Sequence, residues 1–110
     1  MFGQHCLFNL QGADKDKLDD LEYLTQLLKD AAYETGATVV DYCSKKFEPQ
    51  GVTIVVLLSE SHISIHTWPE RGAALVDIFT CGEDVDPFWA VPVIRSGLSP
   101  ERFTVEMINR

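Results

Sequence analysis

The chain has 110 residues, of which 45% are hydrophobic, and it carries a formal net charge of −8 with a pI near 4.6. A chain of this length predicts a single domain over residues 1–110, with a limited core that oligomerisation would help to stabilise. The acidic balance argues against a nucleic-acid partner, which needs a basic surface, and mildly favours cationic small molecules.

The cysteines and the chain start indicate the compartment. Cys6, Cys43 and Cys81 form no Cys-x-x-Cys pair, and an odd number of cysteines without a signal peptide predicts free thiols in a reducing environment. Residues 1–5 show no basic segment leading into an apolar one, and no apolar run approaches the ~20 residues that span a bilayer. We therefore expect a cytoplasmic protein without a membrane segment.

The first third of the chain predicts a short strand and one long helix. Residues 6–10 read as the strand, and leucines and alanines at helical spacing predict a helix over about 16–35. Asp14 or Asp16 is expected to cap its start, and Gly36 is expected to end it.

The remainder predicts further strands and a second helix. Asp86 and Pro87 open that helix, and Pro92 within it should kink or shorten it. Without a regular alternation of strand and helix, the pattern favours an α+β fold, an antiparallel β-sheet with two helices on one face. The expected strands cover residues 38–47, 52–58, 62–67, 73–81 and 102–107.

Residues 60–70, ESHISIHTWPE, concentrate polar side chains directly after an apolar strand. Facing residues of the hairpin that follows should have numbers that sum to roughly 140, which places Cys81 beside Ser61. His66 lies five positions from Ser61, roughly 16 Å along an extended strand and on its opposite face. Either His66 is unrelated to Ser61, or the two meet across a homodimer.

The same stretch, followed by VDIFTCG at residues 76–82, closely resembles the prokaryotic S-adenosylmethionine decarboxylase proenzymes. The resemblance extends from about Ala31 to Pro87. It implies self-cleavage between Glu60 and Ser61 into a β chain of residues 1–60 and an α chain of residues 61–110. Ser61 would become a pyruvoyl group that forms a Schiff base with the substrate.

The resemblance also implies roles for other residues. His66 would be the base for the elimination during cleavage, and the Thr53 hydroxyl would steady the intermediate. Cys81 would donate a proton to the substrate, Phe47 would stack on adenine, and Glu70 would bind the ribose hydroxyls. The family is dimeric with sites shared between subunits, so a homodimer is expected.

No metal is expected, because the spacing of His62, His66 and Cys81 matches no common zinc pattern. The predicted function is decarboxylation of S-adenosylmethionine to the aminopropyl donor for spermidine synthesis. One alternative is a pyruvoyl-dependent decarboxylase of ornithine or arginine, and another is a non-catalytic regulatory paralogue. Residues 88–94 are unusually apolar for the resemblance, which would fit an altered subunit interface.

Overall fold

A six-stranded antiparallel sheet forms one layer of the protein in a computed structural model that describes residues 2–110. The strand order is β2-β3-β4-β5-β1-β6, so the first strand lies between the last two. The strands are β1 (Gly3–Gln11), β2 (Val39–Lys46), β3 (Val52–Leu58), β4 (Ser61–Trp68), β5 (Ala73–Cys81) and β6 (Arg102–Asn109).

Helices cover one face of this sheet. They are α1 (Lys15–Leu18), α2 (Leu21–Thr35) and α3 (Ala90–Leu98). The central strands alternate between buried and more exposed side chains, as β3 does with Val52 and Ile54 buried and Val55 exposed. This alternation places the core between the sheet and the helices and leaves the other face of the sheet, the open face, uncovered. The predicted α+β class is confirmed.

The predicted helix over 16–35 is wrong in one respect, because it is two helices that separate at Asp19 and Asp20. Asp14 caps α1, and Asp20 rather than Asp16 caps α2 by accepting the backbone N–H of Tyr23 at 3.0 Å. Short acidic side chains compete for backbone N–H groups, which makes them good caps and poor helix-interior residues. Gly36 ends α2 with φ of 89°, as predicted.

The second predicted helix begins as a single 3₁₀ turn over Pro87–Trp89, capped by Asp86, and continues as α3. Pro92 is the third residue of α3, where its missing N–H would have had no acceptor within the helix. Pro92 is therefore tolerated inside the first turn of α3, and the α-helical part begins only at Ala90. Phe88 and Trp89 are exposed, whereas Ala90 and Ile94 of the same apolar segment are buried.

Strand boundaries agree with expectation within a few residues, although β1 and β6 are longer than predicted. All three cysteines are free, and burial together with nearby Asp86 raises the pKa of Cys6 to about 11. Among residues 2–110, no helix is long and apolar enough to cross a membrane.

Candidate active site

The turn between β3 and β4 consists of only two residues, Ser59 and Glu60, between the paired residues Leu58 and Ser61. Glu60 has φ of 62°, in the left-handed region that non-glycine residues seldom occupy. Such a conformation stores backbone strain when the surrounding structure enforces it. The strain falls at the peptide bond where cleavage is predicted.

Cys81 forms hydrogen bonds with the residues on both sides of this peptide bond. Its thiol donates to the Glu60 carbonyl oxygen at 3.2 Å, and its backbone N–H donates to Ser61 Oγ at 3.3 Å. Facing residues of β4 and β5 have numbers that sum to 141, as His62 and Phe79 do. The prediction from hairpin geometry that Cys81 lies beside Ser61 is confirmed.

A second group of predicted residues lies at the other end of β4. Thr53 and His66 face each other across β3 and β4, and Thr53 Oγ1 lies 2.9 Å from His66 Nδ1. Both line a cleft of about 370 Å³ together with Phe47 and Glu70. The volume is within the range of small-molecule sites. Four residues predicted separately therefore share one cleft.

Two side chains that the sequence did not single out support this cleft. The Asp19 carboxylate accepts a hydrogen bond from the backbone N–H of Gly51 at 2.8 Å and forms an ion pair with Lys46 at 3.0 Å. These contacts, led by the Gly51 hydrogen bond, lower the pKa of Asp19. Thr67, buried, accepts the backbone N–H of Val52 at 2.9 Å. Both contacts fix the segment that carries Phe47.

The two groups do not meet within one chain. Ser61 is buried on the helix-covered side of β4, whereas His66 is exposed on the open face. Five residues of extended strand separate them, or roughly 16 Å. The sequence-based conclusion that His66 does not contact Ser61 in the same chain therefore agrees with the geometry.

The open face carries a third polar group that the sequence did not predict. Asp77 Oδ2 lies 2.7 Å from His5 Nε2 and 3.0 Å from His62 Nε2, and Ser64 donates to Asp77 Oδ1. Burial raises the pKa of Asp77, but these three hydrogen bonds outweigh burial and leave it below its usual value. Nothing in the local spacing signals the group, because His5 joins it from a strand 72 positions away along the chain.

Comparison with known proteins agrees with this architecture. The family model described as S-adenosylmethionine decarboxylase matches residues 4–110. The chain belongs to this family. A proenzyme of that name from Methanococcus aeolicus is 49% identical over 108 residues, which cover 98% of this chain and 92% of the relative. One from Brevibacillus brevis is 50% identical over 109 residues, covering 99% and 82% of the two chains.

Solved structures show the same fold. The adenosylmethionine decarboxylase from Aquifex aeolicus superposes with a TM-score of 0.91 and 40% identity, over 99% of this chain and 90% of that one. A Trypanosoma brucei AdoMetDC monomer matches with a TM-score of 0.67 and 17% identity, over 93% of this chain and 44% of that one, which shows the fold alone. The family resemblance seen in the sequence is confirmed, and the roles of individual residues stay predictions.

Proposed function

We propose that the chain is a self-cleaving, pyruvoyl-dependent decarboxylase of S-adenosylmethionine that supplies the aminopropyl donor for spermidine synthesis. The family and the name proenzyme of the relatives support the activity. The observation that carries the proposal is the pair of Cys81 hydrogen bonds across the Glu60–Ser61 peptide, with Glu60 held in a left-handed conformation.

Cleavage begins at Ser61. Its Oγ attacks the carbonyl carbon of Glu60, the C–N bond breaks, and the amide becomes an ester with a free amine on Ser61. The Cys81 thiol withdraws electron density from that carbonyl oxygen through its hydrogen bond, and leaving the left-handed conformation of Glu60 relieves strain.

A base then removes the α-proton of Ser61, and Glu60 leaves as a carboxylate. The resulting dehydroalanine tautomerises, and water hydrolyses it to a ketone and ammonia. The products are a β chain of residues 1–60 and an α chain that begins with the ketone at residue 61. The arrangement fits a pyruvoyl group, because position 61 is buried against the backbone N–H of Cys81, whose thiol contacts the neighbouring Glu60 carbonyl.

The pyruvoyl group would supply the electron sink for loss of CO₂. The Cys81 thiol lies 3.2 Å from the Glu60 carbonyl oxygen, beside residue 61, from where it would return a proton to the substrate α-carbon. In the cleft, the Phe47 ring offers a stacking surface for adenine, and the Glu70 carboxylate can accept hydrogen bonds from the ribose hydroxyls. The sulfonium charge of the substrate suits aromatic faces and an acidic chain.

A two-fold homodimer would complete each site. It would bring the cleft of one protomer, with His66 as the base and Thr53 as the steadying hydroxyl, to Ser61 and Cys81 of its partner. The open face supports this assembly because large apolar side chains remain exposed on it, as expected of an interface. They are Val55, Leu57, Trp68, Leu75 and Ile108.

Intact mass under denaturing conditions tests the cleavage. The wild type should give two fragments that meet between Glu60 and Ser61, with the second about 17 Da lighter than a serine-started chain, because ammonia is lost when the cofactor forms. Ser61→Ala should give one uncut chain. A wild type that stays uncut after long incubation would refute the proposal and favour a non-catalytic regulatory paralogue.

Decarboxylation assays with S-adenosylmethionine, ornithine and arginine then test the substrate. S-adenosylmethionine should be turned over, and Phe47→Ala and Glu70→Gln should raise its KM. Turnover of ornithine or arginine that is indifferent to both substitutions would contradict an adenosine site in the cleft. Activity should persist after treatment with a chelator, since no metal is part of the proposal.

A further inference from the structure

The group formed by His5, His62 and Asp77 joins three neighbouring strands, β1, β4 and β5. His5 and His62 both pair with Phe79, one from each side, and Asp77 lies two residues before Phe79 in β5 on the same face. An ionised carboxylate only accepts hydrogen bonds, so both imidazoles present Nε2–H to it. Asp77 thereby links the start of β4 to β1.

The lengths in this group are those of hydrogen bonds. The two Nε2 atoms lie 2.7 and 3.0 Å from Asp77 Oδ2. Asp77 therefore accepts a hydrogen bond from each of two imidazoles on neighbouring strands.

The group of His5, His62 and Asp77 lies next to the proposed cut and contains residues of both expected fragments. His62 directly follows Ser61, and His5 belongs to the fragment 1–60 while Asp77 belongs to the fragment 61–110. Cleavage removes the covalent turn at Ser59 and Glu60 and converts residue 61 into a chain end. Chain ends fray unless side chains or backbone contacts hold them.

We propose that His62, held by Asp77, is a positioning residue that keeps the residue-61 end of β4 in place after cleavage. The proposal rests on the self-cleavage put forward above. Before cleavage the turn already fixes this end, so the bond between His62 and Asp77 matters most in the cut protein. The bond between His5 and Asp77 ties the two fragments together across the sheet.

Hydrogen exchange of the full-length protein tests this role. In the cut His62→Leu protein, amides 62–64 should exchange roughly tenfold or more faster than in the cut wild type, the change expected for one lost hydrogen bond to a charged group. Cleavage itself should go to completion. The decarboxylation kcat should fall while KM stays within about twofold, because Phe47 and Glu70, which would bind the adenosine part of the substrate, are left unchanged.

Two further variants separate positioning from general structural support. His62→Gln keeps an N–H donor at a similar place and should restore both exchange and kcat. His62→Leu combined with Ser61→Ala cannot be cut, and its amides 62–64 should exchange as they do in Ser61→Ala alone. If His62→Leu fails to fold, Asp77→Asn removes the carboxylate charge at constant shape and should show the same faster exchange after cleavage.

Three outcomes would overturn the inference. They are unchanged exchange in cut His62→Leu, faster exchange that is equally large in the uncut double variant, and a loss of kcat that His62→Gln does not restore. An uncut wild type would instead refute the proposed function, and this inference with it. A cut wild type with unchanged exchange in the variant would refute only the positioning role.

Discussion

The separation of Ser61 and His66 predicts that two defective chains can repair each other. Ser61→Ala lacks the residue that is cut, and His66→Ala lacks the base. If each site takes Ser61 from one protomer and His66 from the other, a mixed dimer contains one site with both residues and one site with neither. Neither variant alone should be cut, but His66→Ala chains in mixed dimers should be.

Random pairing gives the size of the effect. With equal amounts of the two chains, about half of the dimers are mixed, so about half of the His66→Ala chains and about a quarter of all chains should be cut. Co-expression with tags of different mass allows dimers to assemble in the cell, and intact mass then gives the cut fraction of each chain. The Ser61→Ala chains should remain uncut, which provides an internal control.

Two results would refute this reasoning. Complete cleavage of His66→Ala expressed alone would show that His66 is not the base. An absence of cleavage after co-expression, in material shown by the two tags to contain mixed dimers, would show that the site is not shared between subunits. Ser61 and His66, which are roughly 16 Å apart along β4, would then have to come together within one chain.

Three other predictions follow from contacts of single residues. Thr67→Val leaves the Val52 N–H without its buried acceptor and should lower the Tm by about 10 °C. The control Thr25→Val removes only a hydroxyl hydrogen bond within α2 and should change the Tm little, so equal Tm values for the two variants would contradict the buried role of Thr67. Leu75→Glu places a charge on the open face and should give a folded chain that is monomeric by light scattering and uncut by intact mass. The control Tyr33→Glu, on the exposed side of α2, should be dimeric and cut, and a Leu75→Glu monomer that is cut would exclude a shared site. Asp19 has a lowered pKa in the folded chain, so the stability that it contributes is present above about pH 4 and is lost as the pH falls further. Asp19→Asn should therefore weaken the dependence of the Tm on acid pH, and a Tm that varies with pH as in the wild type would contradict this role of Asp19.

Local patterns carried most of the fold. Runs of apolar and β-branched residues bounded by turn residues predicted β3 and β5 with their observed boundaries, because such residues favour extended strands. The break at Asp19 and Asp20 was not predicted, since Leu18 and Leu21 keep helical spacing across it. Periodicity reports which face is buried, and it does not report where the backbone leaves the helix.

The contacts of the candidate site also fall into those that local sequence patterns predict and those that they do not. Proximity of Cys81 to Ser61 follows from a hairpin between consecutive strands, which sequence numbering can describe. The bond between His5 and Asp77 depends on β1 inserting between β5 and β6, a pairing between distant parts of the chain. Asp19 was hidden for a related reason, because its partner Gly51 lies 32 positions away. Long-range pairing is fixed by the packing of the whole sheet, so single-sequence patterns do not reveal it.

The placement of Ser61 and His66 on opposite faces of one strand would decide when the proposed cleavage can take place. A protomer alone holds the strained peptide and its Cys81 contacts but keeps His66 roughly 16 Å from Ser61, so it would lack the proposed base for the elimination. Assembly would supply the base from the partner. Cleavage would then follow dimerisation, and the reactive ketone would arise only where a complete substrate cleft already surrounds it. On this reasoning the exposed apolar side chains of the open face would serve catalysis as well as stability, since their burial in the proposed dimer would bring the two halves of the site together.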